Sequence, residues 1–168
     1  MARPSGTPAI DLVRRAGAHH EIHEYRLPER HGKARGERPD YGLEAAATLG
    51  VDPRRVGKTL IVDVDGRLVA ALVPADRQLD PKALAAAVGG RRADLAPPTL
   101  AERVTGSVVG GISPLAPRRP LTLVVDATLL DHPTILVSAG RRGLQLEIAP
   151  DDLVRLGTAQ IAPIARGT

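Results

Sequence analysis

The sequence contains no cysteine, which excludes disulfide bonds, zinc–thiolate centres and a cysteine nucleophile. Phenylalanine and tryptophan are absent as well, and Tyr25 and Tyr41 are the only aromatic residues. A platform on which successive bases stack, as single-strand binders build, needs more rings than that. No stretch approaches the roughly 18 apolar residues of a membrane span. The first twenty residues carry Asp11, Arg14 and Arg15 rather than an apolar run, so a soluble, cytoplasmic protein with no membrane partner is expected. The histidines lack a His-Glu-x-x-His spacing, and there is no Gly-x-x-x-x-Gly-Lys-Ser/Thr loop and no Gly-x-Gly-x-x-Gly fingerprint. Neither a metal nor a cofactor is therefore expected. Ser107, Ser113 and Ser138 could be set against His132 or the His19, His20 and His23 cluster, yet no Gly-x-Ser-x-Gly elbow exists to present a serine. The chain has no obvious nucleophile.

What is present begins with length. At 168 residues the chain is read as one domain with room for a core. Its 23 basic residues against 19 acidic ones leave a net charge of +4, and 20 of the 23 are arginine. Five pairs recur, at Arg14-Arg15, Arg54-Arg55, Arg91-Arg92, Arg118-Arg119 and Arg141-Arg142. Arginine grips phosphate bidentately, which suits a nucleic-acid partner, and it serves equally as solvated surface. With so few rings, a bound RNA would be held through phosphate and sugar; DNA is not expected.

The local grammar is clear over most of the chain. Thr7 as N-cap, Pro8 at the first helical position and Gly17 as stop predict a short amphipathic helix. Residues 21–26 alternate as an edge strand does. Residues 27–40, with Pro28, Gly32, Gly36 and Pro39 near His31 and Lys33, read as a loop able to act as a lid. Tyr41 to Leu49 is a second helix ended by Gly50. Lys58 to Val64 and Arg67 to Val73 flank Asp65-Gly66, a favoured two-residue hairpin turn. Asp80-Pro81 opens a third helix that ends near Gly89, and Pro98 to Val104 starts a fourth. Residues 121–125, 134–138, 144–148 and 160–162 are strand-like, with a last helix from Pro150 to Leu156. Short helices punctuate hairpin-linked strands without a βαβ rhythm, so the class is α+β rather than doubly wound.

Two features stand out chemically. Residues 106–117, Gly-Ser-Val-Val-Gly-Gly-Ile-Ser-Pro-Leu-Ala-Pro, combine three glycines with two prolines. Such a backbone suits close approach to a ligand and equally suits a plain turn between strands. Lys58, one of only three lysines, either snorkels off its strand end or projects into a site.

Lys58-Thr59-Leu60, then Val109-Gly110-Gly111-Ile112-Ser113-Pro114-Leu115, then Val137-Ser138-Ala139-Gly140-Arg141-Arg142-Gly143-Leu144 follow one another in an order and spacing that resemble the YbaK/EbsC family of aminoacyl-tRNA deacylases. The bacterial Cys-tRNA(Pro)/Cys-tRNA(Cys) deacylase branch is the most similar. The resemblance runs from about Thr7 to Ala165. It implies a single α+β domain with a mixed, barrel-like central β-sheet and short surrounding helices, related to the editing domain of prolyl-tRNA synthetases. It implies that Lys58 is the essential lysine and that Gly110 with Pro114 forms the Gly-x-x-x-Pro loop at the substrate. By the same resemblance Tyr25, Tyr41, Thr59, Ser113, Ser138 and Gln145 line the pocket, and no side chain attacks the ester. The thiol of a misattached cysteine attacks its own carbonyl instead, releasing a thiolactone and free tRNA.

That expectation fits the missing nucleophile. Backbone N–H groups of Gly110 and Gly111, with the charge of Lys58, would stabilise a developing oxyanion. A synthetase pocket that accepts proline cannot strongly reject a similarly sized cysteine, so separate editing makes physical sense. Gln145 stands where the family often carries an acidic residue, and Ala139 where glycine is common. The expected partners are a mischarged aminoacyl-tRNA and prolyl-tRNA synthetase. The alternatives are a deacylase of another mischarged tRNA such as Ala-tRNA(Pro), a non-catalytic tRNA- or synthetase-binding domain, and a serine hydrolase of small esters.

Overall fold

The computed structural model describes residues 6–27 and 40–167. The expected lid over residues 27–40, with His31 and Lys33, therefore lies outside the described residues apart from its two ends. Helix α1 (Pro8–Ala16) begins where the Thr7 side chain accepts the Ile10 N–H and ends at Gly17. Strand β1 (His20–Glu24) follows, then α2 (Tyr41–Leu49), β2 (Gly57–Val64) and β3 (Arg67–Pro74). Asp65 and Gly66 between the last two both have positive φ, as the type I′ hairpin turn requires. The order continues with β4 (Gln78–Leu79), α3 (Pro81–Ala87), β5 (Ala93–Leu95), α4 (Pro98–Thr105), β6 (Thr122–Asp126), β7 (Ile135–Ser138), β8 (Leu144–Ile148), α5 (Pro150–Gly157), β9 (Gln160–Ala162) and β10 (Ala165–Arg166).

The sheet is mixed, as expected, and it is divided. Five strands pair in the order β5-β2-β3-β6-β9, antiparallel around the hairpin and parallel where β6 meets β3 and β9. Three more form the antiparallel sheet β1-β8-β7. A parallel bridge from Val56 to Leu136 joins the two where β2 enters beside β7. β3 reads as a continuous apolar run because both its faces are covered. Ala70 and Leu72 enter one core with Ile61, Leu123 and Val125, while Val69, Ala71 and Val73 enter a second with Leu84 and Ile164.

The three-stranded sheet closes the first core from the other side. Ile135 and Val137 on β7 and Leu144, Leu146 and Ile148 on β8 are fully buried in it. Alternation then turns Ser138, Gln145, Glu147 and His23 to the opposite face, where register pairs Gln145 with both Ser138 and His23.

The strands β4, β5 and β10 were not anticipated, because two or three residues carry no readable period. Their positions depend on distant partners. Buried Asp126 accepts the N–H groups of Ile164 (2.9 Å) and Ala165 (3.0 Å), and the chain end thereby reaches β4.

Glu147 ties the outer face of this sheet to its surroundings. Its carboxylate meets His23 Nε2 at 2.8 Å, Arg55 Nη2 at 3.3 Å and the Thr134 hydroxyl. The Thr134 hydrogen bond, with His23 and Arg55 behind it, holds the carboxyl below its ordinary 4.5 against the opposing effect of burial. A folded-state pKa below the unfolded one adds stability above the unfolded value, and that stability is lost as pH falls through the folded pKa. Glu147→Gln is therefore expected to lower stability at neutral pH by about 1–2 kcal/mol. It should also flatten the loss of melting temperature below pH 4.5; parallel melting curves for the two proteins down to acid pH would refute this.

Candidate active site

A cavity of about 350 Å³ opens where the two sheets meet. The start of β2 contributes Gly57, Lys58, Thr59 and Leu60, and the first turn of α2 contributes Tyr41 and Gly42. Val109, Gly110 and Ile112 come from the glycine-rich loop, and Ser138 and Gln145 from the outer face of the small sheet. Six of the expected residues, Lys58, Thr59, Tyr41, Gly110, Ser138 and Gln145, are thus brought together from four separate segments.

The loop is a built element rather than a plain turn. Gly111 N–H donates to Val108 O at 2.8 Å, and Gly110 sits within that turn at φ +88°, a conformation open to glycine and strained for other residues. Arg142 Nε donates to Val109 O at 2.8 Å, and Ser107 Oγ donates to Gly140 O at 3.2 Å. A Cβ on Gly111 would lie 2.8 Å from Arg142 N and 2.9 Å from Arg141 C, so the loop presses directly on the 141–142 backbone. Arg118 and Arg119 N–H groups close its base on Thr105 and Val104.

Not every expected site residue reaches the cavity. The Gly111 N–H is engaged in the turn, whereas the Gly110 N–H has no partner among the described residues. Ser113 is buried and its Oγ accepts the Leu115 N–H at 3.2 Å. Pro114 packs on the far side of the loop in an apolar recess with Ile61 and Leu123. Tyr25 stands behind Gln145 and lines a neighbouring groove with Arg26, Arg141 and Arg142. Burial pushes its phenol above the ordinary 10.0, opposed by hydrogen bonding to the Gln145 side chain and by the Gly143 backbone.

Inside the cavity three polar groups are unsatisfied among the described residues. Lys58 has no ion-pair or hydrogen-bond partner among the described residues. Thr59 Oγ1 and Gln145 Oε1 are buried and unpartnered, a condition that costs about 1–3 kcal/mol per group unless a ligand relieves it. Ser138 Oγ accepts the Gly140 N–H at 3.2 Å. Among the described residues no histidine lines the cavity. His23 lies two strands from Ser138, roughly 10 Å away, and is bound to Glu147, so the two do not form a couple. Glu21, His23 and Glu147 cluster within 4.8 Å of one another, but Arg55 already occupies the Glu147 carboxylate, which disfavours a cation there.

A sequence model of the aminoacyl-tRNA editing domain matches residues 40–156. The chain belongs to the aminoacyl-tRNA editing domain family. The candidate Cys-tRNA(Pro)/Cys-tRNA(Cys) deacylase EbsC of Enterococcus faecalis is 30% identical over 94% of this chain and 92% of its own length. The multifunctional Ser/Thr-tRNA deacylase ProXp-y of Escherichia coli K12 is 32% identical over 65% of this chain and 68% of its own. A crystal structure of a candidate trans-editing enzyme for prolyl tRNA synthetase superposes with a TM-score of 0.80 at 25% identity, covering 99% of this chain and all of that one.

Arg142 joins this editing domain's site although residue-level reading did not single it out. Its guanidinium carbon lies 4.6 Å from the Tyr41 ring centroid, a cation–π distance. The only available signal was its place in the Ser-Ala-Gly-Arg-Arg-Gly-Leu run. Gly110 packs on the same ring: a Cβ there would lie 2.5 Å from Tyr41 Cδ2 and 2.6 Å from Cγ. Gly110→Ala should displace the ring and the donor together and lower deacylation by about 100-fold or more, while circular dichroism at 25 °C remains that of a folded protein. Wild-type turnover in the variant would remove Gly110 from the site.

Proposed function

We propose that this editing domain is a trans-editing deacylase that cleaves the aminoacyl ester of mischarged tRNA, with Cys-tRNA(Pro) as its substrate. The observation that carries the reading is a cavity in which, among the described residues, Lys58 and the Gly110 N–H lack partners beside two unpartnered buried acceptors, and no histidine stands near a serine. Such a site is suited to positioning an ester and stabilising negative charge rather than to supplying a nucleophile. The nucleophile then comes from the substrate. The cysteinyl sulfur bonds to its own carbonyl carbon, the ester C–O bond breaks, and the thiol proton ends on the departing ribose oxygen. The products are a thiolactone and free tRNA. Lys58 and the Gly110 N–H face the carbonyl oxygen as it gains charge.

Residues 7–165 act as one such domain. Arg26, Arg141 and Arg142, which line the groove beside the cavity, attract the phosphates of the acceptor end without reading its sequence. Prolyl-tRNA synthetase is the partner that this activity would serve, in keeping with the solved relative described for that synthetase. No described helix is long and apolar enough to cross a membrane.

The test is a panel of tRNA(Pro) charged with cysteine, serine, threonine, alanine or proline, each incubated with wild type and Lys58→Ala. Cysteine should be released fastest and the serine ester should persist, because a hydroxyl is a far poorer internal nucleophile than a thiol. Lys58→Ala should reduce the rate about 100- to 1000-fold. Release of no amino acid above the buffer rate would sink the enzyme reading, and faster release of serine or threonine than of cysteine would overturn the substrate assignment.

A further inference from the structure

The deacylase reading leaves open how the cavity tells one acyl group from another, and the orientation of Gln145 bears on that. Gln145 is 6% exposed and its Oε1 has no partner. Oε1 thus stands as a buried acceptor in the cavity wall, and the neighbouring Tyr25 is held by its backbone N–H donating to Gly143 O at 3.0 Å. Thr59 Oγ1, delivered by β2, is the second buried atom there without a partner.

An aminoacyl ester has one acceptor where charge develops, the carbonyl oxygen, and one strong donor, the α-ammonium. Lys58 and the Gly110 N–H complement the first, and the two orphaned oxygens complement the second. The rest of the lining includes Val56, Leu60, Val109 and Ile112. That apolar wall suits an amino-acid side chain and would be a costly place for a bare ammonium.

We propose that Gln145 Oε1 and Thr59 Oγ1 form an ammonium subsite, which admits esters of amino acids bearing a free α-ammonium and turns away N-acylated esters. The proposal rests on the deacylase reading. In an N-acylated ester the nitrogen is an uncharged amide with a single N–H and a bulky substituent. A buried site built to accept a hydrogen bond rejects a group that cannot donate it, because the site's own polar atom is left unpaired.

The experiment compares cysteinyl- and N-acetylcysteinyl-tRNA(Pro), each rate divided by that ester's rate in buffer, with wild type, Gln145→Met and Thr59→Val. Acetylation leaves the sulfur nucleophile intact. The wild type should prefer the free amine over the acetylated ester by about 100-fold or more in kcat/KM. Gln145→Met should lose about 10-fold or more on the free amine and little on the acetylated ester, collapsing the preference. Thr59→Val, isosteric and apolar, should do the same to a smaller degree and serves if Gln145→Met does not fold. Acetylated and free esters cleaved alike by the wild type would overturn the subsite alone, as would a preference undiminished in both variants. Cleavage of no aminoacyl ester by the wild type would overturn the deacylase reading and the subsite with it.

Discussion

Strand β8 is buried on both faces, and the two faces do different things. Leu144, Leu146 and Ile148 lock it to the five-stranded sheet through the larger core. The intervening Gln145 and Glu147 are thereby forced outward, toward the start of β2 and the Arg55 turn. A one-residue slip would exchange the two sets and leave the core without its anchors. The apolar register is what holds an unpartnered glutamine oxygen in place beside Lys58, and the rest of the site is arranged around that position.

The second constraint is the contact of two glycine-containing loops. The 106–117 loop lies against the 139–143 turn so closely that Gly111 has no room for a side chain. Arg142 reaches back to Val109 O and over the Tyr41 ring. Loop, turn and helix α2 thus brace one another. A site that works by positioning needs such bracing, since misplacement of a donor by about 1 Å can cost 100-fold in rate.

Most of the fold was legible because its signals are local. Thr7, Pro8 and Gly17 mark α1, Asp65-Gly66 marks the central hairpin, and alternation marks β8, each within a few residues of the element it specifies. The short strands β4, β5 and β10 were not legible, since they exist only where Asp126 and the edge of β2 hold them. The site was legible in part. Lys58, Thr59, Tyr41, Gly110, Ser138 and Gln145 line one cavity, while Ser113 and Pro114 share the same loop yet line a different recess, a matter of backbone turns that composition does not encode. Arg142 was legible only as one of the paired arginines; its stacking on Tyr41, far away in the chain, exists only once folding brings the two together.

By itself the sequence determined that no cysteine of this chain can act as nucleophile or metal ligand, since it holds none. It also determined the elements, since caps, turns and alternation act over a few residues. Only the tertiary structure decided which donors are available. The Gly111 N–H is engaged by Val108 O, Gly110 is left open, and Gln145 Oε1 and Thr59 Oγ1 remain without partners. The physical reason is that hydrogen-bond satisfaction belongs to the assembled fold: a group is free or engaged according to what distant strands and loops bring beside it.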